Sequence, residues 1–263
     1  MREHRALNAI LEPGGIRPVY QPIMDLADGA PRLVGFECLS RGPQGTNFES
    51  ARVLFEYVRL KREETLVDRA CVTAALAAAP RHPALQLMVN VHASTLGRDH
   101  DFPDFLCAAA AANGIACANL TVEIVEHAPP WDSIGFGGAL ERLRANGMRV
   151  SLDDVGLGQS NFKMILDVRP DYLKLDRYFV AACDVDDARQ AVIDTVARLA
   201  AHFGSEVVAE GVESTAVVEA LRQRGVRYMQ GFLFGEAFDA EEARRFAAAQ
   251  EAAGVGAQSR AIS

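Results

Sequence analysis

The stretch MRVSLDDVGLG, residues 148–158, joins a short apolar run to two adjacent carboxylates and a glycine-containing segment. Asp153 and Asp154 end the apolar run, where mutual repulsion and desolvation disfavour two neighbouring negative charges. One or two divalent cations usually compensate such a pair, and one carboxylate can bridge them. A pair of this kind can also cap the solvated start of a helix. The stretch alone therefore indicates a strand that ends either at a metal site or at a helix cap.

Short apolar, β-branched runs of this kind recur along the chain and alternate with longer Ala- and Leu-rich segments of helical period. The predicted strands are Pro18–Ile23, Arg32–Cys38, Leu85–Val91, Leu120–Ile124, Met148–Leu152, Tyr172–Leu175, Glu206–Ala209 and Val226–Met229. The predicted helices are Ser50–Ala79, Phe102–Ala112, Trp131–Asn146, Val185–Phe203, Thr215–Arg224 and Ala240–Ala252. Strands that alternate with helices predict a parallel α/β sheet, and about eight strands in 263 residues favour a closed, TIM-like (β/α)8 barrel over an open sheet.

The first two predicted strands break this alternation. The segment between them, around residues 25–30, is too short for a helical crossover, so we expect the two strands to pair as a hairpin. The barrel would then carry one antiparallel strand. We expect residues 16–250 to form the barrel, with an N-terminal extension at residues 1–15 and a disordered tail at residues 251–263.

The composition argues against several classes of protein. A formal net charge of -8, with no cluster of Lys or Arg, argues against binding of DNA or RNA. No segment approaches the roughly 18 continuous apolar residues of a membrane helix, and no signal peptide is recognisable, so we expect a soluble, cytoplasmic protein. The five cysteines are scattered without a CxxC pair, which favours reduced thiols over disulfides or a zinc site.

Polar residues close the predicted strands from the second to the eighth. They are Glu37, Asn90, Glu123 with Glu126 just beyond, Asp153 with Asp154, Lys174 within the sixth strand, Glu210 and Gln230. In a barrel these positions converge on one mouth, where barrel enzymes keep their chemistry. Oxygen ligands without His or Cys suggest Mg²⁺ or Mn²⁺ rather than zinc. Lys174 beside them is either a buried counter-ion or a group that orients an attacking water.

Several motifs in this order resemble those of one known family. They are Tyr20-Gln21-Pro22, Glu37-Cys38-Leu39-Ser40-Arg41, Val89-Asn90-Val91, Glu123-Ile124-Val125-Glu126, Asp153-Asp154-Val155-Gly156-Leu157-Gly158, Leu173-Lys174-Leu175-Asp176, Ala209-Glu210-Gly211-Val212-Glu213 and Gln230-Gly231-Phe232. Over about residues 16–248, the chain resembles the EAL domain, the bacterial phosphodiesterase that linearises cyclic di-GMP.

The resemblance implies two metal sites for Mg²⁺ or Mn²⁺. The ligands that it assigns to the first metal are Glu37, Asn90, Glu123 and Asp153. Asp153 would bridge to a second metal, held also by Asp154 and Glu210. The residues that it assigns to catalysis are Glu37, Lys174, Glu210 and Asp154, with Lys174 in contact with the catalytic water.

The resemblance also assigns residues that surround the metals. Arg41 would bind a substrate phosphate, Gln21 would lie beside the bound nucleotide, and Gln230 would line the same region. Glu126 is similar to the glutamate that anchors the loop after the aspartate pair. A homodimer is expected, because EAL domains commonly dimerise.

The implied reaction is hydrolysis of one phosphodiester of cyclic di-GMP, which gives linear pGpG. The first alternative is a receptor that binds cyclic di-GMP without cleaving it, and the second is a barrel hydrolase for another phosphodiester. A structural or partner-binding role is the third, although outer barrel helices need apolar faces for packing alone. Regulatory input could come from a separate signalling protein.

Overall fold

The computed structural model describes residues 2–125, 133–156 and 162–261. Eight strands in these ranges form a closed barrel in which neighbours in sequence are neighbours in space. In chain order they are β1 (Arg17–Asp25), β2 (Arg32–Arg41), β3 (Gln86–His92), β4 (Leu120–Val125), β5 (Arg149–Val155), β6 (Tyr172–Leu175), β7 (Glu206–Ala209) and β8 (Tyr228–Met229). The predicted closed α/β barrel is confirmed.

The first strand is antiparallel to both of its neighbours. β1 pairs with β2 from Arg17 opposite Arg41 to Asp25 opposite Arg32, as a hairpin. On its other side β1 meets β8 through only two residue pairs, Met24 with Met229 and Asp25 with Tyr228. All the remaining neighbouring strands of the barrel are parallel. The prediction of one antiparallel strand is therefore confirmed.

Helices cover the outside of the barrel. Those in the described ranges are α1 (Arg2–Leu11), α2 (Ala51–Lys61), α3 (Glu64–Ala78), α4 (Ala93–Arg98), α5 (Phe102–Ala112), α6 (Ser133–Ala145), α7 (Phe162–Val168), α8 (Arg177–Val180), α9 (Asp187–Phe203), α10 (Thr215–Gln223) and α11 (Ala240–Ala261). Outward-facing strand residues such as Val89, Ile124 and Leu173 form a continuous apolar core with them. Within the described ranges, no helix combines the length and the apolar character needed to cross a bilayer.

The segment 50–79 forms two helices where the sequence predicts one. α2 ends at Arg62, whose left-handed φ of 58° turns the chain and lets its N–H bond back to the carbonyl of Arg59. The periodicity of apolar residues continues on both sides of this turn, because α2 and α3 both bury a face against the same part of the structure. The pattern therefore gave no sign of the break.

The two ends of the chain are more helical than expected. Residues 2–11, placed in an N-terminal extension, form α1, and Ile10 is buried in a cluster with Leu54 and Val67 of α2 and α3. At the other end α11 continues to Ala261, so the residues expected to be a disordered tail are helical up to that point. Alanine, the strongest helix former, recurs from residue 240 to residue 253, whereas the glycines at positions 254 and 256 each disfavour a helix by about 1 kcal/mol.

The alternation of strand residues builds two layers inside the barrel. Ile23, Met88, Tyr172 and Val208 form an apolar cluster, against which Tyr228 packs. Successive side chains on a strand point to opposite faces, so the residue two positions further on faces inward again. That next layer holds Asn90, Lys174 and Gln230, which follow Met88, Tyr172 and Tyr228 by two residues. The apolar cluster is thus the floor of a polar layer.

A buried carboxylate fastens the short seam between β1 and β8. Asp25, 3% exposed, accepts hydrogen bonds from Arg227 Nε (2.8 Å) and Nη2 (2.6 Å), just before β8. It also accepts bonds from Arg32 Nη2 (2.8 Å) on β2 and from the backbone N–H of Ala27 (3.0 Å). The hydrogen bonds from Arg227 hold the pKa of Asp25 well below its usual range. One carboxylate therefore ties together the three strands at which the barrel changes direction.

Replacing Asp25 with Asn should lower the free energy of unfolding by about 2 kcal/mol at neutral pH, since charged hydrogen bonds contribute about 1.5–3 kcal/mol each. Because the folded pKa lies below the unfolded value of about 3.9, the carboxylate stabilises the fold above about pH 4 and this contribution is lost as the pH falls further. Urea unfolding of both proteins between pH 3 and 7 measures the difference, which should shrink at the acidic end. Asp28→Asn, on the exposed turn of the same hairpin, is the control; an equal effect of both changes would contradict the role of Asp25.

Candidate metal centre

A buried lysine lies at the centre of the polar layer. The Nζ atom of Lys174, which is fully buried, lies within 4 Å of carboxylates from four different strand ends among the described residues. The distances are 2.6 Å to Glu123 Oε1, 2.6 Å to Glu210 Oε1, 3.0 Å to Glu37 Oε2 and 3.7 Å to Asp153 Oδ1. Carboxylates that are as far apart in the sequence as positions 37 and 210 therefore meet at one lysine, as the strand-end pattern predicts.

The charges in this cluster shift the pKa values of its members in different directions. Burial opposes the charge of Lys174, but the carboxylates of Glu123, Glu210 and its other neighbours outweigh burial and raise its pKa well above the usual range. Burial, assisted by the nearby carboxylate of Glu37, raises the pKa of Glu123. Burial also raises the pKa of Glu210 to about 8. The lysine is therefore a protonated counter-ion, and the carboxylates around it exceed the charge that it can neutralise.

Amide side chains hold Glu37 in place. Burial would raise the pKa of Glu37, but the charge of Lys174 and hydrogen bonds from Gln230 and Asn90 lower it. Asn90 Nδ2 donates to Glu37 Oε1 (3.1 Å), and Gln230 Nε2 donates to Glu37 Oε2. The same Nε2 atom donates to Gln21 Oε1 (3.0 Å), which lies directly opposite Glu37 across the β1–β2 ladder. Glu37 is thus an oriented, ionised carboxylate at the centre of the mouth.

A β-bulge explains how two adjacent aspartates both face this centre. Leu152 pairs with Leu173 but Val155 pairs with Leu175, so Asp153 and Asp154 together stand opposite the single residue Lys174. Asp154 has a positive φ of 51°, a conformation that Asp tolerates better than most residues. In a regular strand neighbouring side chains would point to opposite faces. The extra residue and the left-handed turn remove that restriction at this point.

The donor atoms fit a hard divalent cation. Asp153, Asp154 and Glu210 each offer a ligand atom, and these atoms lie within 4.8 Å of one another. Burial, followed by repulsion from Asp153, raises the pKa of Asp154 to about 6. Glu123 Oε2 is buried and, among the described residues, has no hydrogen-bond partner. A bound Mg²⁺ or Mn²⁺ ion would offset the repulsion between these carboxylates and would give the buried Glu123 Oε2 atom a partner.

The loops after β7 and β8 are held against each other by close backbone contacts. Val212 N donates to Gln230 O (3.1 Å), and Leu233 N donates to Val212 O (3.1 Å). Gly231 makes this approach possible, because a Cβ atom there would lie 2.2 Å from Val212 N. Gly211, with a φ of 65°, lies equally close to the first residue of α8: a Cβ atom would be 2.5 Å from Arg177 Cβ. Both motif glycines therefore fix the loop that carries Glu210.

Two cavities flank the centre and share Glu37, Leu39 and Asp153 in their walls. One, of about 220 Å³, lies beside Arg41 and extends between β2, β3 and α3. Arg41 is thus near the cluster, and its Nη1 atom donates to the backbone oxygen of Ser40 (3.2 Å). The other is a cleft of about 300 Å³, and the site residues in its wall are Gln21, Glu37, Asp153, Lys174, Glu210 and Gln230.

The cleft also contains residues to which the strand-end pattern gave no role. Asp176, Arg177, Glu213 and Phe232 all line it. They lie two or three residues beyond the strand-end positions Lys174, Glu210 and Gln230, in loops or, for Arg177, at the start of α8, and the strand pattern does not determine the course of the chain there. Asp176, Glu213 and Phe232 do stand inside the motifs KLD, EGVE and QGF, which was the signal available in the sequence. Glu126, predicted to anchor a loop, lies outside the described residues.

Comparison with known proteins places this arrangement in a family. A model described as the EAL domain matches residues 4–237, nearly the whole chain. The chain belongs to the EAL family. The family resemblance predicted from the motifs is confirmed, and the barrel with an antiparallel first strand is the fold that the chain shares with EAL structures.

The relatives of this EAL domain include cyclic di-GMP phosphodiesterases. It is 30% identical over 251 residues to the probable cyclic di-GMP phosphodiesterase PdeB of Escherichia coli, with 93% of this chain and 47% of PdeB covered. It is 31% identical to the cyclic di-GMP phosphodiesterase PA2567 of Pseudomonas aeruginosa, with 84% of this chain and 38% of that protein covered. The chain thus spans less than half the length of these curated relatives.

A solved relative contains both a metal and the nucleotide. The manganese and cyclic di-GMP complex of BlrP1 from Klebsiella pneumoniae is 27% identical to the chain, with a TM-score of 0.75 over 88% of the chain and 58% of BlrP1. A relative is therefore known as a complex with manganese, and the present EAL domain has an acidic cluster at the mouth of its barrel.

Replacing Lys174 with Met should destabilise the EAL domain by about 3–5 kcal/mol in EDTA, because buried carboxylates lose their counter-ion. Added Mn²⁺ should recover part of this loss, since a cation can replace the missing charge. Thermal unfolding with EDTA and with Mn²⁺ measures both effects. The control Lys61→Met, on the exposed face of α2, should change stability by no more than about 0.5 kcal/mol. A Lys174→Met variant as stable as the wild type in EDTA would argue against the counter-ion role.

Gly211→Ala and Gly204→Ala form a matched pair. Both glycines have a left-handed φ, 65° and 70°, but a Cβ atom at Gly204 meets nothing within 4 Å. Gly204→Ala should therefore cost only about 1–2 kcal/mol for the backbone conformation. Gly211→Ala should cost more and should weaken Mn²⁺ binding, because the clash with Arg177 displaces the loop that carries Glu210. Chemical unfolding and calorimetric Mn²⁺ titration of both variants test this. Equal effects of the two changes would contradict the prediction, because they would show that Arg177 moves aside at little cost.

Proposed function

We propose that the chain is a metal-dependent phosphodiesterase that hydrolyses cyclic di-GMP to linear pGpG. The observation that carries the proposal is the convergence of Asp153, Asp154 and Glu210 to within 4.8 Å, next to the buried Lys174, at the mouth of an EAL barrel. Phosphodiesters are poor electrophiles shielded by anionic oxygens, so an acidic mouth alone would repel them. An acidic mouth loaded with cations would attract them.

In this proposal the residues divide into two sets of ligands. Glu37, Asn90, Glu123 and Asp153 would hold one Mg²⁺ or Mn²⁺ ion, and Asp153, Asp154 and Glu210 a second. Two such cations, when bound, supply the charge that lowers the pKa of a water and neutralises the phosphate as it reacts. The division follows the resemblance of the motifs to the EAL family, and the manganese complex of BlrP1 supports the choice of a divalent metal.

The other side chains orient these ligands and the substrate. The ammonium of Lys174 donates to Glu123 and stands beside Glu210, so it fixes both carboxylates and can donate to a water placed between them. Gln230 and Asn90 orient Glu37 by their hydrogen bonds. Arg41, in the wall of the neighbouring cavity, would contact a phosphate oxygen of the substrate. Gln21, fixed by Gln230, would lie beside the nucleotide.

A receptor that binds cyclic di-GMP without cleaving it is the second candidate. A receptor does not need the full set of acidic ligands, and Glu37, Asn90, Glu123, Asp153, Asp154 and Glu210 are all present here. The complete set favours the enzyme. The homodimer, the cytoplasmic location and a separate signalling partner stay predictions from the sequence.

Incubation of the purified protein with cyclic di-GMP and Mn²⁺ or Mg²⁺ should yield pGpG, detected by chromatography and mass spectrometry. Loss of a residue that only supports a metal ligand costs roughly 10- to 100-fold. Glu37→Gln and Asp153→Asn remove ligand charge itself, so each should lower kcat/KM by at least about a hundredfold. Glu56→Gln, on the exposed face of α2, is the charge-matched control and should be indistinguishable from the wild type.

The outcomes separate the candidates. Tight binding of cyclic di-GMP without pGpG would favour the receptor. Full activity in Glu37→Gln would contradict the assignment of the metal ligands. Faster turnover of another phosphodiester in a substrate panel would reassign the substrate while leaving the metal centre in place.

A further inference from the structure

The barrel wall opens between β2 and β3, directly beside the candidate metal centre. Within the described ranges, the pairing of these two strands ends at Cys38 opposite Val89, although β2 continues to Arg41 and β3 to His92. The cavity of about 220 Å³ extends into this opening, and Asn90 lies in its wall. The β2 side of residues 90–92 therefore faces a cavity where a neighbouring strand would otherwise hold the backbone. We call this side the open edge of β3.

A carboxylate from α3 reaches the open edge. Asp68, which is 1% exposed, accepts a hydrogen bond at Oδ2 from the backbone N–H of His92 (3.0 Å). The same oxygen accepts a hydrogen bond from Thr95 Oγ1 (2.6 Å), and Asp68 Oδ1 lies 2.8 Å from Nδ1 of the His92 ring. All three residues are buried. Hydrogen bonds to a charged group are stronger than those between neutral groups, so Asp68 holds the junction of β3 and α4 firmly.

This junction begins two residues after Asn90. The Nδ2 atom of Asn90 donates to Glu37 Oε1 (3.1 Å), and that bond also sets the direction of the amide oxygen, because the amide group is planar. On one side of β3, the pairing with β4 continues as far as His92. On the open edge, Asp68 supplies the acceptor. The backbone that carries Asn90 is therefore held from both sides.

We propose that Asp68 is a positioning residue of the candidate metal centre. It takes the place of β2 at the open edge and so keeps Asn90 in the orientation in which its amide oxygen can ligate a metal. It acts through the backbone of His92 and through Thr95, and not as a ligand itself. The inference rests on the proposed function, because that function takes Asn90 as a ligand of the first metal. An outer helix of the barrel thereby contributes to metal affinity.

Asp68→Asn and Asp99→Asn form a matched pair for the test. Asp99 also connects α3 with α4, since it accepts hydrogen bonds from Arg69 Nε (2.7 Å) and Nη2 (2.9 Å), but it lies at the opposite end of α4 from His92. Loss of a residue that supports a metal ligand lowers metal affinity roughly 10- to 100-fold, so Asp68→Asn should weaken Mn²⁺ binding at least about tenfold in calorimetric titration. Asp99→Asn should leave the Mn²⁺ affinity unchanged.

A double-mutant cycle tests whether Asp68 acts through Asn90. Asn90→Ala alone should weaken Mn²⁺ binding, and the addition of Asp68→Asn should weaken it little further, because effects that pass through one group are not additive. A second measurement needs no metal. The NMR signal of the Asn90 side-chain amide, assigned by its absence from Asn90→Ala, should shift in Asp68→Asn and stay in place in Asp99→Asn.

Each outcome decides the inference. It is overturned by wild-type Mn²⁺ affinity or an unshifted Asn90 signal in folded Asp68→Asn, by an equal loss of affinity in Asp99→Asn, or by a full additional loss in the double variant. If Asp68→Asn does not fold, Thr95→Val removes one of the donors to Asp68, and wild-type Mn²⁺ affinity in that variant overturns the inference.

Hydrolysis is measured separately from metal binding. If the wild type binds Mn²⁺ but yields no pGpG from cyclic di-GMP, the proposed function fails, and the Mn²⁺ titrations still decide the role of Asp68. If the wild type binds no Mn²⁺, the inference is overturned together with the metal centre.

Discussion

The ammonium of Lys174 is the charge on which the interior of the barrel mouth depends. Glu37, Glu123, Asp153 and Glu210 come from four different strand ends, and without a cation between them their repulsion would push those ends apart. A lysine suits this position because its long apolar stem can be buried in the barrel interior while its ammonium group contacts the carboxylates. It leaves the cluster still negative, so the same geometry that permits folding retains an attraction for further cations.

The polar layer also helps to close the barrel. β1 and β8 share only two residue pairs, as few as the ladder between β7 and β8 and fewer than any other in the barrel. Gln230, which orients Glu37 in the mouth, donates a hydrogen bond to Gln21 at one end of this ladder. At the other end of the ladder Asp25 accepts a hydrogen bond from Arg227. The backbone of Tyr20 adds two hydrogen bonds with Phe238 beyond β8. Side chains therefore supplement the few backbone hydrogen bonds between β8 and β1, the strand that is antiparallel to both of its neighbours.

The sequence predicted the fold and most of the centre, and the failures have physical causes. Strands and long helices have a period that an amino-acid pattern can show. α4, α7 and α8 have fewer than eight residues each, too few for a period to be recognised. Strand ends located Glu37, Asn90, Glu123 and Lys174, because alternation fixes where they point. Asp176 and Glu213 lie in loops after strands, and their place in the cleft depends on turns such as that at Gly211.

The bulge in β5 has a consequence for how this protein can change. Asp153 and Asp154 both face the centre because β5 has one residue more than β6 between Leu152 and Val155. A deletion of either aspartate would restore one-to-one pairing with β6 and leave a single carboxylate opposite Lys174, although the other side chains of the centre remained. Substitutions on the helical side of β5 need only preserve its apolar character. The length of the segment is therefore more tightly constrained than its composition, and a gap at residues 153–154 of a related chain would mark a centre with one carboxylate missing.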